Sequence, residues 1–208
     1  MENVLAVYAR PPRQDQPLVC LDEFAKQLLS ETREPVAAIP GHPAREDYEY
    51  VREGSVSGFM IAMPHLGKRD VFVGSDGRRT ARDFAACLDH LATNLLPDAP
   101  KIILVMDNLN THKEASLYEA FPPEKARYLC ERFEMHYTPK HGSWLNMAEI
   151  EIGLLARTCL SRRIRSVGEF AKEVRAYLEW KNGNSKAISW QFTNEKARIK
   201  LKSLYPSI

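Results

Sequence analysis

Two aspartates follow stretches that have the composition of buried strands. Asp22 follows the apolar run "LVCL", and Asp107 follows "KIILVM". In mixed α/β sheets the strand ends open toward solvent, so acids there point into a ligand site. On neighbouring strands the two carboxylates would repel each other unless a divalent cation lay between them, and Mg²⁺ prefers such oxygen ligands. The pair therefore predicts a metal site, although Asp107 taken alone equally fits a residue that caps the following turn.

A third acid is expected from "TPKHGSWLNMAEIE", which contains both Glu149 and Glu151. Positions two residues apart lie about 200° apart around a helix axis, so only one of the two can face the sheet. Ile152 follows Glu149 by three positions and places it beside the apolar stripe, whereas Glu151 precedes a more mixed face. We therefore predict that Glu149 is the third ligand and that replacing Glu151 matters little. The alternative for Glu149 is an ordinary first-turn glutamate favoured by the helix dipole.

Strands must position the first of these acids. The stretch "LVCLDEF" predicts a strand with Asp22 at its C-terminal end. The stretches "YVREGSVSGFMIAMP" and "KRDVFVGSDGRR" predict two strands of an antiparallel meander. Three prolines in "REPVAAIPGHPARED" predict a loop before them.

The middle of the chain alternates helices and strands. Thr80 fits a helix N-cap because Asp83 follows at the third helical position. The stretch "KIILVMD" is continuously apolar, as central strands covered on both faces are. One or two short helices are expected within residues 112–132, followed by the strand "FEMHYTP".

The last third of the chain predicts helices and carries most of the positive charge. Apolar residues recur at helical spacing from Asn146 onward and again in "VGEFAKEVRAYLEWKN". Residues 152–208 hold twelve Lys and Arg against four acids, a balance of +8, and the other 17 basic and 23 acidic residues give 1–151 a charge of −6. Clustered Lys and Arg suit a polyanion, because they release counterions from phosphates. A solvated helical face is the alternative.

Composition narrows the class of protein. The 208 residues suit one domain. No stretch approaches the roughly 18 consecutive apolar residues of a membrane span, and the N-terminus lacks the pattern of a signal peptide. We therefore expect a cytoplasmic, nucleoid-associated protein without membrane partners. The four cysteines are far apart and form no C-x-x-C motif, so neither a zinc site nor a disulfide framework is predicted.

The residues around the three acids resemble the IS630 family of DDE transposases, part of the IS630/Tc1/mariner superfamily. The similar motifs are "VCLDEF", "VMDNLNTHK" and "YTPKHGSWLNMAE", and the resemblance extends from "VLAVYARP" to "EWKN". Each motif alone is a weak signal. The three in this order, on elements of the expected type, are specific.

The resemblance implies a fold and an activity. The fold is α/β, an RNase H-like mixed five-stranded sheet flanked by helices, with a basic helical C-terminal extension. Asp22, Asp107 and Glu149 would bind two Mg²⁺ ions, for which Mn²⁺ can substitute. Such a domain cleaves transposon-end DNA and transfers the freed 3′-hydroxyl to target DNA, and a homodimer is expected in the active complex.

Further residues are expected around the acids. His112 matches the family's "DN...H" pattern and would lie near the scissile phosphate or order its loop; a capping or solvent-exposed histidine is the alternative. Asn108 and Asn146 are expected to shape the site through hydrogen bonds. A set of arginines that follows the Glu149 helix is expected near the acids as a DNA-backbone contact: Arg157, Arg162, Arg163 and Arg165.

The expected organisation is a lead or linker at 1–17, a catalytic core at 18–165, and a basic helical extension of the same domain at 166–208. The N-terminal helix-turn-helix domains of full family members are expected to be absent. Two other functions stay open at this point. One is an inactive or regulatory DNA-binding remnant, and the other is a different RNase H-like nuclease, such as one that acts on RNA in a hybrid.

Overall fold

A mixed sheet of five strands lies at the centre of the described chain. The structure, a computed structural model, describes residues 1–45, 47–74, 77–184 and 186–205. The strands are β1 (Leu18–Glu31), β2 (Tyr50–Met63), β3 (Lys68–Phe72), β4 (Ile102–Met106) and β5 (Phe133–Tyr137). They lie in the order β3-β2-β1-β4-β5. The pairs β1–β2 and β2–β3 are antiparallel and the pairs β1–β4 and β4–β5 are parallel, which confirms the predicted meander and mixed sheet.

Helices cover both faces of this sheet, as the α/β prediction requires. They are α1 (Glu2–Tyr8), α2 (Ala81–His90), α3 (Glu114–Ala120), α4 (Pro123–Arg132), α5 (Met147–Thr158), α6 (Val167–Asn184) and α7 (Asn194–Lys200). A π-helical turn, Leu91–Leu95, continues α2. The expected short helices within 112–132 are α3 and α4, and α5 and α6 lie where the helical spacing predicts them.

Side chains that alternate along the strands build two separate cores. Cys20 of β1 and Val105 of β4 belong to the core that packs against α1, α5 and α6. Their chain neighbours Leu21 of β1 and Leu104 of β4 point to the other face and belong to the core that packs against α2, α3 and α4. Because both faces of β4 are covered, all of its residues are buried, as its continuous apolar sequence predicts.

The predicted start of α2 is confirmed. Thr80 is the N-cap, and its Oγ1 accepts a hydrogen bond from the Asp83 backbone N–H at 3.3 Å. In return, Asp83 Oδ2 accepts a hydrogen bond from the Thr80 backbone N–H at 2.8 Å. This reciprocal capping box satisfies two backbone donors that a helix N-terminus otherwise leaves without partners.

β1 is longer than predicted. It continues nine residues past Asp22 and pairs with β2 as far as Glu31 opposite Tyr50. Hence the prediction that Asp22 ends its strand is wrong, because pairing with β2 extends β1 through a half-exposed segment, 25–31. Such a segment carries no clear alternation of apolar residues, so the partner strand decides its conformation.

The first residues of the chain also form structure that the sequence did not predict. They fold into α1, which buries Val4, Leu5 and Val7 against the sheet. At the other end of the described chain, Arg198 of α7 pairs with Glu2, with 2.7 Å between Nη2 and Oε2. Among the described residues, none of the helices combines the length and apolar character that crossing a membrane requires.

Candidate active site

Two neighbouring parallel strands bring Asp22 and Asp107 together. The last parallel pair of β1 and β4 is Cys20 opposite Val105. Continued by two residues, this register sets Asp22 opposite Asp107, at the roughly 4.8 Å spacing of adjacent strands. β4 ends at Met106, whereas β1 continues beside β2. From Asp22 onward, the edge of β1 that faced β4 therefore no longer pairs with it. The two acids therefore stand at the opening that this loss of pairing creates.

Asn146 connects the N-terminus of α5 to the strand that carries Asp22. As the N-cap of α5, it accepts a hydrogen bond from the Ala148 backbone N–H through Oδ1 at 3.1 Å. Its Nδ2 donates to the Leu21 carbonyl oxygen at 2.8 Å and to Asp22 Oδ2 at 3.2 Å. One buried side chain thus fixes both the Asp22 carboxylate and the first turn of α5.

Glu149 and Glu151 leave α5 in different directions, but not in the way the sequence predicted. Glu149 is an exposed residue of the first turn, close enough to Asp22 for its charge to act on that carboxylate. Glu151 instead faces the sheet side and is buried, with its Oε1 3.0 Å from Arg69 Nη2 of β3. The expectation that Glu149 is the glutamate facing the sheet is therefore wrong, because Glu151 takes that position. The site lies beyond the end of β4, so an acid in the first turn reaches it from the open side.

His112 bridges Asp107 and a residue that the sequence analysis did not single out, Glu23. The ring is fully buried, with Nδ1 2.5 Å from Asp107 Oδ1 and Nε2 3.0 Å from Glu23 Oε1. Its face lies on Phe84, with 4.6 Å between ring centroids. Burial lowers the pKa of His112, but the bonds to Asp107 and Glu23 outweigh this effect and raise that pKa to about 9. The ring therefore carries a proton on both nitrogens at neutral pH. The signal for Glu23 was the pair of consecutive acids in "LDEF".

The charge on Asp22 makes the site suitable for a cation. Burial, with smaller contributions from the carboxylates of Asp107 and Glu149, raises the pKa of Asp22 to about 6. A bound cation would offset both the burial cost and the repulsion. Three carboxylates form an all-oxygen donor set, which is the type that hard divalent cations bind. The residues present therefore fit a divalent metal ion.

The acids do not form a closed coordination shell. Within residues 1–45, 47–74, 77–184 and 186–205, no three Asp, Glu, His or Cys side chains stand close enough to share one ion. Glu149 is exposed, so its side chain has room to turn toward the two aspartates. A metal ion would complete the site by drawing these side chains together.

A cavity of about 440 Å³ opens beside Asp107, lined by Asn108 and by the loop 138–143. In this loop His141 adopts a left-handed backbone conformation with φ 61°. A Cβ on the next residue, Gly142, would come 2.6 Å from Pro139 Cγ, so only glycine fits this turn. A tight loop thus forms one wall of the cavity beside Asp107.

Three of the four predicted DNA-contacting arginines pair with acids on the surface. Arg162 pairs with Glu173, Arg163 with Glu31, and Arg165 with Glu169. Glu31 lies nine residues beyond Asp22 on β1, roughly 30 Å away at about 3.3 Å per residue. Arg163 therefore does not lie beside the acids. The chain after α5 runs along the extended half of β1, where Leu29 N–H donates to the Ile164 carbonyl oxygen at 2.8 Å.

Solved structures of Mos1 share this fold. The Mos1 mariner paired-end complex with Mn is 16% identical, with a TM-score of 0.57 over 86% of this chain and 52% of that chain. The Mos1 transposase paired-end complex with left transposon end is 15% identical, with a TM-score of 0.58 over 89% and 54%. The Mos1 strand transfer complex is 15% identical, with a TM-score of 0.56 over 86% and 51%. These likenesses confirm the RNase H-like fold, and the chain spans about half the length of the Mos1 chains.

Comparison with protein families gives a match over most of the sequence. No curated protein matches the chain. The model of the DDE superfamily endonucleases, however, matches residues 17–171, a range that includes all three acids. With well over half of its length matched, the chain belongs to the DDE superfamily of endonucleases.

Proposed function

We propose that this chain is the catalytic domain of an IS630-family DDE transposase. It cleaves transposon-end DNA and transfers the 3′-hydroxyl to target DNA, with Asp22, Asp107 and Glu149 as the metal-binding acids. The observation that carries the proposal is the placement of these acids around the end of β4, within a chain that belongs to the DDE endonucleases. The likeness to Mos1 in its paired-end and strand transfer complexes supports it.

The chemistry divides between the metal and the side chains. Two Mg²⁺ ions, or Mn²⁺ in their place, would activate the attacking water or 3′-hydroxyl and stabilise the leaving oxygen of an in-line phosphoryl displacement. Asn146 donates a hydrogen bond to the Asp22 carboxylate, and His112 hydrogen-bonds the Asp107 backbone and contacts its carboxylate. No covalent nucleophile from the protein is required. Glu149, which is exposed on α5, would supply the third carboxylate to the metal.

DNA is the proposed partner, bound as transposon ends and as target by a homodimer. The basic charge of residues 152–208 supports this proposal. Arg157 is exposed on the last turn of α5, the helix that begins at the site. Phosphates would compete with the exposed ion pairs of Arg162 and Arg165, and pairs of this kind contribute only about 0–1 kcal/mol. Arg163 is partly buried and also donates to the carbonyl oxygens of Asp47 and Glu49, so a phosphate would have to displace more contacts there. We propose these four arginines as backbone contacts spread along the surface.

A nicking assay tests the proposed function directly. Purified protein is incubated with Mg²⁺ or Mn²⁺ and duplex DNA, an RNA–DNA hybrid or single-stranded DNA. Metal-dependent nicking of duplex DNA, lost in Asp107→Ala, is the expected result. DNA binding without metal binding would indicate a regulatory remnant, and selective cleavage of the hybrid would indicate a different RNase H-like nuclease.

A further inference from the structure

Glu23 is buried on the opposite face of the sheet from the acid beside it. Consecutive side chains of a strand point to opposite faces. Asp22 therefore points toward α5, where it meets Asn146, whereas Glu23 points toward α2, with a side chain that is 5% exposed. One position on β1 thus supplies the site, and the next supplies a carboxylate behind it.

The His112 ring connects the Glu23 carboxylate to the acid site. Glu23 Oε1 accepts the hydrogen bond from His112 Nε2 at 3.0 Å. The opposite ring nitrogen, Nδ1, hydrogen-bonds the Asp107 backbone carbonyl oxygen at 3.3 Å and lies 2.5 Å from Asp107 Oδ1. Glu23 Oε2 lies 3.4 Å from Nη1 of the exposed Arg79. Phe84 packs on the ring face. Rotation of the ring would break the contacts at both nitrogens, so the positions of Glu23 and Asp107 are coupled.

We propose that Glu23 is a positioning residue of the metal site: it locks the His112 ring, which hydrogen-bonds the Asp107 backbone and lies against the Asp107 carboxylate, and so keeps that carboxylate in its metal-binding orientation. This inference rests on the proposed function. Groups behind a metal ligand orient it, and their loss typically costs roughly 10–100-fold in metal affinity or activity. A buried carboxylate is costly unless it is paired, so a role confined to folding would be filled equally well by an apolar side chain.

Mn²⁺ affinity of the DNA-free protein, measured by calorimetric titration, tests the proposal. Glu23→Leu removes the acceptor and should weaken Mn²⁺ binding roughly 10–100-fold. Glu23→Asp keeps the charge but is one methylene too short to reach Nε2, so it should weaken binding by at least about tenfold. Glu23→Gln keeps an acceptor of the same length and should restore affinity to within a few-fold of wild type. Should Glu23→Leu fail to fold, Glu23→Asp decides the question.

A double replacement shows whether Glu23 acts through the ring. Glu23→Asp combined with His112→Asn should bind Mn²⁺ no more weakly than His112→Asn alone, because the shared contact is already lost. Asp70→Asn is the matched control. It breaks another carboxylate–histidine pair, Asp70 Oδ2 to His90 Nε2 at 2.9 Å, and should leave Mn²⁺ affinity unchanged.

Wild-type Mn²⁺ affinity in Glu23→Asp would overturn the proposal, as would fully additive losses in the double variant. Equal loss of affinity in Asp70→Asn would also overturn it, since the effect would then be general destabilisation. Metal affinity is measured without DNA. A wild-type protein that binds Mn²⁺ but cleaves no DNA would therefore contradict the proposed function and leave the role of Glu23 intact.

Discussion

Glu149 and Glu151 lie two residues apart on one helix but in opposite environments. Glu151 is 3% exposed and pairs with Arg69, which also donates to the Gly67 carbonyl oxygen and to Asn182 Oδ1. Glu149 is exposed, and its charge acts on another carboxylate, Asp22. One glutamate is neutralised inside the protein, whereas the other adds to a cluster of like charges.

The difference shows how the protein separates stability from function. The pair of Glu151 with Arg69 ties α5 to β3, and Asn182 of α6 joins the same network through the Arg69 backbone. At the acid site burial and the neighbouring carboxylates disfavour the charge on Asp22, a cost that a bound cation would offset. A substitution should therefore act on activity in one region and on folding in the other.

Replacing a proposed metal ligand should give the largest effect. Asp107→Asn or Glu149→Gln should lower metal-dependent nicking on the order of 10³-fold or more, because the ligands act as one unit. Thermal unfolding of the metal-free protein should change little in Glu149→Gln, since that side chain is exposed, whereas Asp107→Asn also removes the charge beside the buried His112. Nicking rates and melting curves measured on the same preparations check this. Near-wild-type nicking by Glu149→Gln would show that Glu149 is not one of the metal-binding acids.

Replacing Glu151 should act on folding instead. Glu151→Ala leaves Arg69 without its buried carboxylate and should lower the free energy of unfolding by about 3 kcal/mol. The earlier expectation that Glu151 matters little thus applies to the chemistry alone. Urea unfolding measures the loss, and nicking per folded molecule should stay at the wild-type level. A double replacement, Arg69→Met with Glu151→Leu, should recover much of the stability; a loss of nicking at full stability would contradict this division of roles.

Removing the charge at Asp22 should stabilise the metal-free protein. Its pKa is raised from 3.8 to about 6, so its favourable contribution is present below pH 3.8 and is lost as pH rises through 6. One pKa unit corresponds to about 1.4 kcal/mol, and partial exposure reduces the total, so Asp22→Asn should gain about 1–2 kcal/mol at pH 7.5 in a chelator. The gain should shrink toward pH 4. Added Mn²⁺ should stabilise wild type but not Asp22→Asn; a gain that does not vary with pH would contradict the charge argument.

The surface arginines should show the smallest effect. The double replacement of Arg157→Gln with Arg162→Gln should weaken binding to two unrelated DNA duplexes equally, because phosphate contacts carry no sequence information. The slope of log affinity against log salt should fall by about 2, roughly 0.9 for each lost phosphate contact. Binding titrations at several salt concentrations measure this slope. Selective weakening of one duplex would instead indicate base recognition by this surface.

Much of the fold followed from patterns within short stretches. The continuous apolar run of β4, the Thr80–Asp83 capping box and the helical spacing of α5 and α6 each depend on neighbours within one or two turns. The same local patterns placed Asp22 and Asp107 on strands that proved to be parallel neighbours. The extended half of β1 and helix α1 were not predicted from the sequence. A strand with one exposed face and a seven-residue helix show little periodicity of apolar residues.

The sequence by itself determined that Asp107 directly follows a buried strand and that apolar residues lead up to Asp22. Only the tertiary structure decided which glutamate of α5 is neutralised by a buried arginine and which stays exposed. The partner of Glu151 is 82 positions away at Arg69, and the partner of Glu23 is 89 positions away at His112. The free energy of a buried charge depends on the group that folding brings against it, and no local pattern records that group.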